Sequence, residues 1–131
     1  MICVLDTSAA FEIALKGDDY QKYKEMIENA DKVIAPSLFQ AETANVIWKY
    51  VKGGYIDEEN AKVTMALIFQ FVDTYLDTAE NSIESLHEAI RFNHSVYDML
   101  YLTLARRNGA VLLTCDQKLK NLAIDNGVNV L

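Results

Sequence analysis

The sequence predicts an α/β fold: a three-layer, doubly wound sandwich with helices on both faces of a central parallel sheet of four or five strands. Segments such as Ile2–Leu5 and Ala110–Thr114 are apolar at nearly every position, which is typical of strands buried on both faces of a sheet. The segments between them repeat apolar residues at helical spacing. With 131 residues, 51% hydrophobic content and one proline, the chain fits a single domain over residues 1–131.

Strand and helix signals alternate from the first residues onward. The strand Ile2–Leu5 precedes a helix for which Ser8 is the expected N-cap. A second helix begins at Asp18 or Asp19, and Lys32–Ala35 forms the next strand.

Two longer helices come next and are predicted to form an antiparallel hairpin. Ser37 caps the first, the glycine pair at Gly53 ends it, and Asp57 caps the second after a short loop. Their apolar residues recur at i, i+3, i+4 and i+7 and are expected to face the core. These residues are Ala44, Ile47, Trp48 and Val51 in the first helix, and Ala61, Met65, Ile68, Phe69, Val72 and Leu76 in the second.

The last part of the chain repeats the alternation. Thr74–Thr78 fits either an edge strand or the frayed end of the preceding helix. The further predicted elements are a helix over Glu80–Phe92 with Ile83, Leu86 and Ile90 facing inward, a helix over Val96–Arg107, the strand Ala110–Thr114, a helix opened by Asp116, and a last strand over Val128–Leu131.

Composition limits the classes of function. The net charge of −7 argues against extended binding of a nucleic-acid backbone, but not against a compact site in which metal ions supply positive charge. Cys3 and Cys115 lie in apolar runs and are expected to be buried free thiols, and no Cys/His spacing indicates zinc. His87 and His94 are expected to be surface or loop residues. With no long apolar run and no basic leader, the expected location is cytoplasmic, without a membrane segment.

Four acids are predicted to share one rim of the sheet. Asp6 directly follows the first strand, and Asp116 follows the strand Ala110–Thr114. Sites of open parallel sheets form beyond the carboxyl ends of the strands. Glu42 and Asp98 lie in early turns of helices expected to begin near that rim, among apolar neighbours and with no Lys or Arg one turn away. An ionised acid in such surroundings needs a partner.

Divalent cations would relieve the repulsion among these carboxylates. Hard oxygen ligands suit Mg²⁺ or Mn²⁺, and a pair of such ions holds a phosphodiester and activates a water for in-line attack. Thr7 and Thr114 are candidates to support the acids through hydrogen bonds. The alternative is purely structural: Asp6, Asp98 and Asp116 are also in positions where an acid caps or stabilises a helix start.

Four segments carry a resemblance to a known family. They are VLDTSA, APSLFQAETANVIWK with Glu42, SVYDMLYLTLARRNGAVLLTCDQKL with Asp98 and Asp116, and NGVNVL. Together the segments resemble the PIN-domain family, and within it the VapC-type toxin ribonucleases. The resemblance implies that Asp6, Glu42, Asp98 and Asp116 are the catalytic, metal-binding acids of an Mg²⁺- or Mn²⁺-dependent endoribonuclease. It also implies a homodimer, a small antitoxin protein that acts near the acidic pocket, and an RNA target such as transfer RNA or ribosomal RNA.

Other functions stay open at this point. A PIN-fold nuclease or RNA-processing factor outside a toxin–antitoxin system and a non-catalytic interaction module are both compatible with the fold. A phospho-receiver domain is disfavoured, because Thr7 and Ser8 follow Asp6 where a second acid is needed. Aromatic residues of the predicted hairpin are candidates for a dimer interface: Phe39, Trp48, Tyr50, Tyr55 and Phe71. The candidate cations for RNA contacts are Lys49, Lys52, Arg91, Arg106, Arg107, Lys118 and Lys120.

Overall fold

A computed structural model describes residues 1–131 and confirms the α/β sandwich with a parallel central sheet. All three strand pairings are parallel, and the strand order is β3-β2-β1-β4. The strands are β1 (Ile2–Leu5), β2 (Lys32–Pro36), β3 (Thr74–Leu76) and β4 (Val111–Leu113). The segment that fitted either an edge strand or a frayed helix is therefore the edge strand β3.

Seven α-helices connect and cover the strands. The α6 helix packs against β1, β2 and β4, and α5 packs against α6. The helices are α1 (Thr7–Ala14), α2 (Tyr20–Asn29), α3 (Leu38–Lys52), α4 (Glu58–Phe69), α5 (Ser82–Phe92), α6 (Val96–Asn108) and α7 (Gln117–Asp125). None of them combines the length and the apolar character needed to cross a membrane.

The register of β1 and β4 places the ends of these strands side by side. Leu5 pairs with Leu113, and the next residue, Asp6, donates its backbone N–H to the Leu113 carbonyl at 3.0 Å. The chain proceeds from β1 to β2 and β3 on one side, whereas β4 lies on the other side of β1. The carboxyl ends of β1 and β4 therefore form the topological switch point at which open α/β sheets build their sites.

The fifth predicted strand does not form as an element. Within Val128–Leu131 there is only an isolated parallel bridge between Val130 and Leu112. Leu112 donates to the Asn129 carbonyl at 2.8 Å and accepts from the Leu131 N–H at 3.0 Å. The sheet has four strands, and this terminal segment extends its β4 edge.

The buried face of α3 matches the predicted one at Ile47 but not at Trp48 or Val51. Phe39, Thr43 and Ile47 are buried, whereas Trp48 is 55% exposed and Val51 lies at the surface. The helix carries apolar residues on two faces, so periodicity alone does not decide which of them contacts the sheet. Among the aromatic residues proposed for an interface, Phe39 belongs to the core, and Trp48 and Tyr55 are the ones exposed.

The buried face of α5 is also not the predicted one. Ile83 and Ile90 are 87% and 74% exposed, while Ser85 and Glu88 are buried. The buried polar groups have partners on α6: Ser85 and Thr103 share a hydrogen bond of 2.9 Å, and Glu88 accepts from Arg106 at 3.2 Å. These cross-helix partners make the polar face the inner one, which no pattern within α5 reveals.

The two cysteines occupy different environments. Cys3 is fully buried in β1, as expected, whereas Cys115 is exposed just beyond β4. The expectation of a second buried thiol was wrong because β4 ends at Leu113 and the chain turns outward there.

Candidate active site

One cavity of about 390 Å³ at the carboxyl end of β1 and β4 brings together the four acids selected from the sequence. Its walls contain no Lys, Arg or His side chain. The lining residues are Asp6, Thr7, Ser8, Phe11, Glu42, Val46, Tyr50, Asp98, Tyr101 and Asp116. Thr114 lies outside this lining and reaches the site through hydrogen bonds, as described below.

Asp6 is the most buried of the four acids, with 6% of its surface exposed. Its Oδ1 accepts from the Ala9 N–H at 2.9 Å and from the Ser8 hydroxyl at 2.7 Å. Asp6 is therefore the N-cap of α1, and the expectation that Ser8 caps this helix was wrong. Burial raises the pKa of Asp6 to about 6, and the nearby Asp98 charge adds to the shift; hydrogen bonds from Thr114, Ala9 and Ser8 oppose it.

Asp116 is the N-cap of α7 and is held by the end of β4. Its Oδ1 accepts from the Leu119 N–H at 3.1 Å, and its own N–H donates to the Thr114 hydroxyl at 3.0 Å. Ser8 joins this segment to α1, because its hydroxyl accepts from the Cys115 N–H at 2.9 Å and lies 3.4 Å from Thr114 Oγ1. The hydrogen bonds of Ser8 therefore link the segment that carries Asp6 to the segment that carries Asp116.

Glu42 is anchored by a tyrosine of another helix. Tyr101 donates its hydroxyl to Glu42 Oε1 at 2.5 Å, and Thr7 donates to the same oxygen at 3.4 Å. Burial raises the pKa of Glu42. Burial and the Glu42 charge together raise the pKa of Tyr101 far above its ordinary value, so its hydroxyl keeps its proton and remains a donor.

Asp98 has a partner that sequence inspection overlooked. His94 donates from Nε2 to Asp98 Oδ2 at 2.7 Å, and both side chains are partly buried. His94 precedes Asp98 by four residues, across the start of α6, at the spacing of neighbours on one helix face. A histidine also donates to a carboxylate, so the absence of Lys and Arg at this spacing does not leave Asp98 without a partner.

The anchoring of the acids follows one pattern. In each carboxylate, one oxygen accepts hydrogen bonds from the chain. The second oxygens of Glu42, Asp98 and Asp116 accept none. Such half-satisfied carboxylates are held in orientation while an oxygen stays available to a ligand.

The donor set has the chemistry of a divalent-cation site. Four carboxylates share a cavity without a basic side chain, and hard cations such as Mg²⁺ bind through one or two carboxylates together with waters. No three His, Cys, Asp or Glu side chains stand close enough to hold an ion on their own. The residues therefore fit a cation that keeps much of its water shell, rather than a closed protein cage.

Three residues of this site were not predicted: Ser8 as a bridging group, His94 and Tyr101. The signal for Tyr101 was present, because it lies one turn after Asp98 on α6 and so shares its helix face. For Ser8, no sequence signal separates a bridging hydroxyl from an ordinary cap.

Comparison with known proteins places the chain in a family. The family model described as the PIN domain matches residues 3–125, nearly the whole chain. The chain belongs to the PIN domain family. The residues that form the acidic cavity at the switch point all lie within the matched range, and the four carboxylates come from separate segments of the fold.

Named relatives of this PIN domain are ribonucleases. It is 30% identical over 123 residues to Ribonuclease VapC1 of Mycobacterium tuberculosis, covering 89% of this chain and 87% of that one. It is 25% identical over 124 residues to Ribonuclease VapC3 of Pyrobaculum aerophilum, covering 91% and 92%.

Solved structures share the PIN fold. A crystal structure of a Pyrobaculum aerophilum protein superposes with a TM-score of 0.73 at 22% identity, covering 97% of this chain and 90% of that one. The structure of VapBC2 from Rickettsia felis, bound to a DNA fragment from their promoter, superposes with a TM-score of 0.71 at 17% identity, covering 100% and 98%.

Proposed function

We propose that this PIN domain is an endoribonuclease that depends on Mg²⁺ or Mn²⁺ and is the toxin of a toxin–antitoxin pair. One observation carries the proposal: four carboxylates from separate segments line a single cavity that has no cation of its own. Family membership and two relatives named as VapC ribonucleases support it. A non-catalytic module would not need four anchored acids, three of which keep an oxygen free for a ligand.

Each of the four acids has its own proposed role in metal binding. Asp6 and Asp98 would hold the principal ion, Asp116 would complete a second, weaker site, and Glu42 would bind metal or orient the attacking water. A divalent cation, when bound, supplies Lewis acidity to the scissile phosphate and lowers the pKa of water.

The chain's own residues keep these acids in place. Tyr101 and Thr7 bind Oε1 of Glu42, so that Oε2 is free to accept a hydrogen bond from the water that attacks phosphorus. His94 binds one oxygen of Asp98 in the same manner. Because each acid is oriented before substrate arrives, little reorganisation is needed at the moment of reaction.

Cleavage of RNA by the purified protein tests the proposal. With Mg²⁺, we expect wild type to cut single-stranded RNA and Asp98→Asn to lose at least about 100-fold in rate, because removing even a group that only supports a metal ligand costs 10–100-fold. Asp18→Asn, at an exposed acid outside the cavity, is the control and should cleave normally. Equal cleavage by Asp98→Asn and wild type would refute the proposed site.

A small antitoxin protein is the proposed regulatory partner. The solved structure of VapBC2, an assembly from another organism, supports this assignment. Expression of the chain in the cytoplasm should stop growth, and co-expression of a small protein encoded beside it should restore growth. Mapping RNA ends after induction then identifies the target, with transfer RNA and ribosomal RNA as the proposed candidates. A chain that cleaves RNA without any such partner would be a PIN nuclease outside a toxin–antitoxin system.

A homodimer is the proposed assembly, with α5 as its contact surface. Ile83, Leu86 and Ile90 are 87%, 52% and 74% exposed and lie on one face of the helix. We expect Ile90→Glu to shift the protein from dimer to monomer in analytical ultracentrifugation, because a charge would be buried in the contact. Val63→Glu, at a residue of α4 that is 63% exposed, is the matched control and should stay dimeric. A dimer that survives Ile90→Glu would exclude this surface.

A further inference from the structure

A second cavity, also of about 390 Å³, borders the acidic one. It is lined by Val46, Lys49, Tyr50 and Tyr55. Val46 and Tyr50 line both cavities, so the two cavities adjoin at these shared side chains. A ligand that occupies the acidic cavity and extends past Tyr50 therefore enters the second cavity, which none of the functions assigned above uses.

The α3 helix sets the direction from one cavity to the other. Glu42, Val46, Lys49 and Tyr50 stand at i, i+4, i+7 and i+8, which places them along one helix face. Glu42 lies at the acidic end, and Tyr50 is about 12 Å further along the axis at 1.5 Å per residue. The cavities thus lie in series along α3.

Tyr55 is an exposed aromatic residue whose ring nevertheless packs against neighbouring residues. Its side chain is 78% exposed, yet the ring meets Tyr50 edge-on at 6.1 Å between centroids and 85° between planes. Tyr50 in turn stacks on Phe11 at 6.0 Å. The ring also covers Gly53, where a Cβ atom would lie 2.7 Å from Tyr55 Cε2.

Lys49 supplies positive charge at the same place. None of the ion pairs in the structure involves Lys49. By contrast, Arg106 and Arg107 pair with Glu84, and Arg91 pairs with Glu88. In a chain with a net charge of −7, Lys49 is therefore an available cation beside the acidic cavity.

We propose that this second cavity is a nucleotide subsite: the base of a nucleotide flanking the cleaved phosphodiester stacks on Tyr55, and its phosphate contacts Lys49. The proposal rests on the ribonuclease function given above. Single-stranded nucleic acids bind where aromatic rings and basic groups line one path, and stacking on a ring tolerates any base. Continuity with the acidic cavity and the pairing of a ring with a cation favour RNA over a protein segment as the occupant.

Binding of a short, fluorescently labelled single-stranded RNA of random sequence tests the subsite. Fluorescence anisotropy is measured with Mg²⁺ in the Asp98→Asn background, so that the RNA stays intact. We expect Tyr55→Ala to raise the Kd by about fivefold or more, because stacking on one ring is lost, and Tyr55→Phe to retain binding. Lys49→Gln should weaken binding and flatten its salt dependence, because one phosphate contact is removed.

Two further variants show whether a loss of binding is specific to the position of the Tyr55 ring. Trp48→Ala removes an exposed aromatic ring of α3 that lines neither cavity, and should leave the Kd unchanged. Gly53→Ala keeps the Tyr55 ring but forces it to move, and should weaken binding in the same direction as Tyr55→Ala.

Unchanged RNA affinity in Tyr55→Ala, while wild type cleaves RNA, overturns the subsite and leaves the ribonuclease function standing. If the affinity is unchanged and Tyr55→Ala instead breaks a dimer or loses a protein partner, the cavity is a protein interface and the subsite is equally overturned. If wild type neither binds nor cleaves RNA, the subsite and the ribonuclease function fail together.

Discussion

Asp6→Asn is expected to stabilise the metal-free protein at neutral pH and to abolish RNA cleavage. In the folded state burial raises the pKa of Asp6 to about 6 from its ordinary value of 3.8, so its ionised form carries a free-energy cost at pH 7.5. A shift of this size corresponds to about 3 kcal/mol at most. Asparagine keeps an oxygen for the Ala9 N–H and caps a helix as well as aspartate does. We expect about 1–3 kcal/mol of added stability, measured by denaturant unfolding in EDTA.

The raised pKa of Asp6 also predicts the direction in which the stability of the folded protein changes with pH. Because the pKa of Asp6 is raised by folding, its protonation stabilises the folded state fully below the unfolded pKa. That contribution is lost as the pH rises through about 6. In EDTA, the difference in stability between Asp6→Asn and wild type should therefore grow from about pH 4 to about pH 7.

Asp116→Asn is the matched control for Asp6→Asn. Asp116 also caps a helix through Oδ1, but it is exposed. Its substitution should reduce cleavage without adding stability in EDTA. Two results would contradict the proposed cost of the buried charge. In one, Asp6→Asn is less stable than wild type at pH 7.5; in the other, its stability depends on pH in the same way as that of wild type.

Tyr101→Phe is expected to lower the rate of RNA cleavage by about 10–100-fold, the range seen when a group that supports a metal ligand is removed. The change deletes only the hydroxyl that donates to Glu42 at 2.5 Å and leaves the ring in the core. The loss should appear in kcat rather than in KM, because substrate still binds while Glu42 is less well oriented. Tyr75→Phe is the control, since the Tyr75 hydroxyl donates to the Phe69 carbonyl, away from the cavity.

A double-mutant cycle shows whether Tyr101 acts through Glu42. If it does, Tyr101→Phe should cost little once Glu42→Gln is in place, because the partner of the hydroxyl no longer carries its charge. Rate losses that multiply in the double variant would mean that Tyr101 has a role separate from Glu42.

Strands and their ends were the part of the molecule that the sequence could predict. Continuous apolar runs located β1 and β4, and the rule that sites form beyond the carboxyl ends of parallel strands brought Asp6 and Asp116 to one rim. Glu42 and Asp98 followed because an acid among apolar neighbours needs a partner or a cation. These inferences depend only on local sequence patterns and on the connectivity of parallel sheets, which follows a small set of rules.

Contacts between distant helices could not be predicted in this way. The inner face of α5 depends on Thr103 and Arg106 of α6, and the orientation of Glu42 depends on Tyr101. Each of these contacts joins residues that are 18 or more positions apart and lie on different helices. The periodicity of one helix therefore does not reveal them. His94 was predictable, since its partner lies four residues away.

Calorimetric titration of the purified protein with Mn²⁺ tests the central claim most directly, because cation binding by the four carboxylates is the step on which the proposed ribonuclease function depends. We expect saturable binding by wild type, strong weakening in Asp6→Asn and Asp98→Asn, and unchanged binding in the control Asp18→Asn. Wild type that binds no Mn²⁺ yet cleaves RNA, or that cleaves RNA equally well in excess EDTA, would contradict the account.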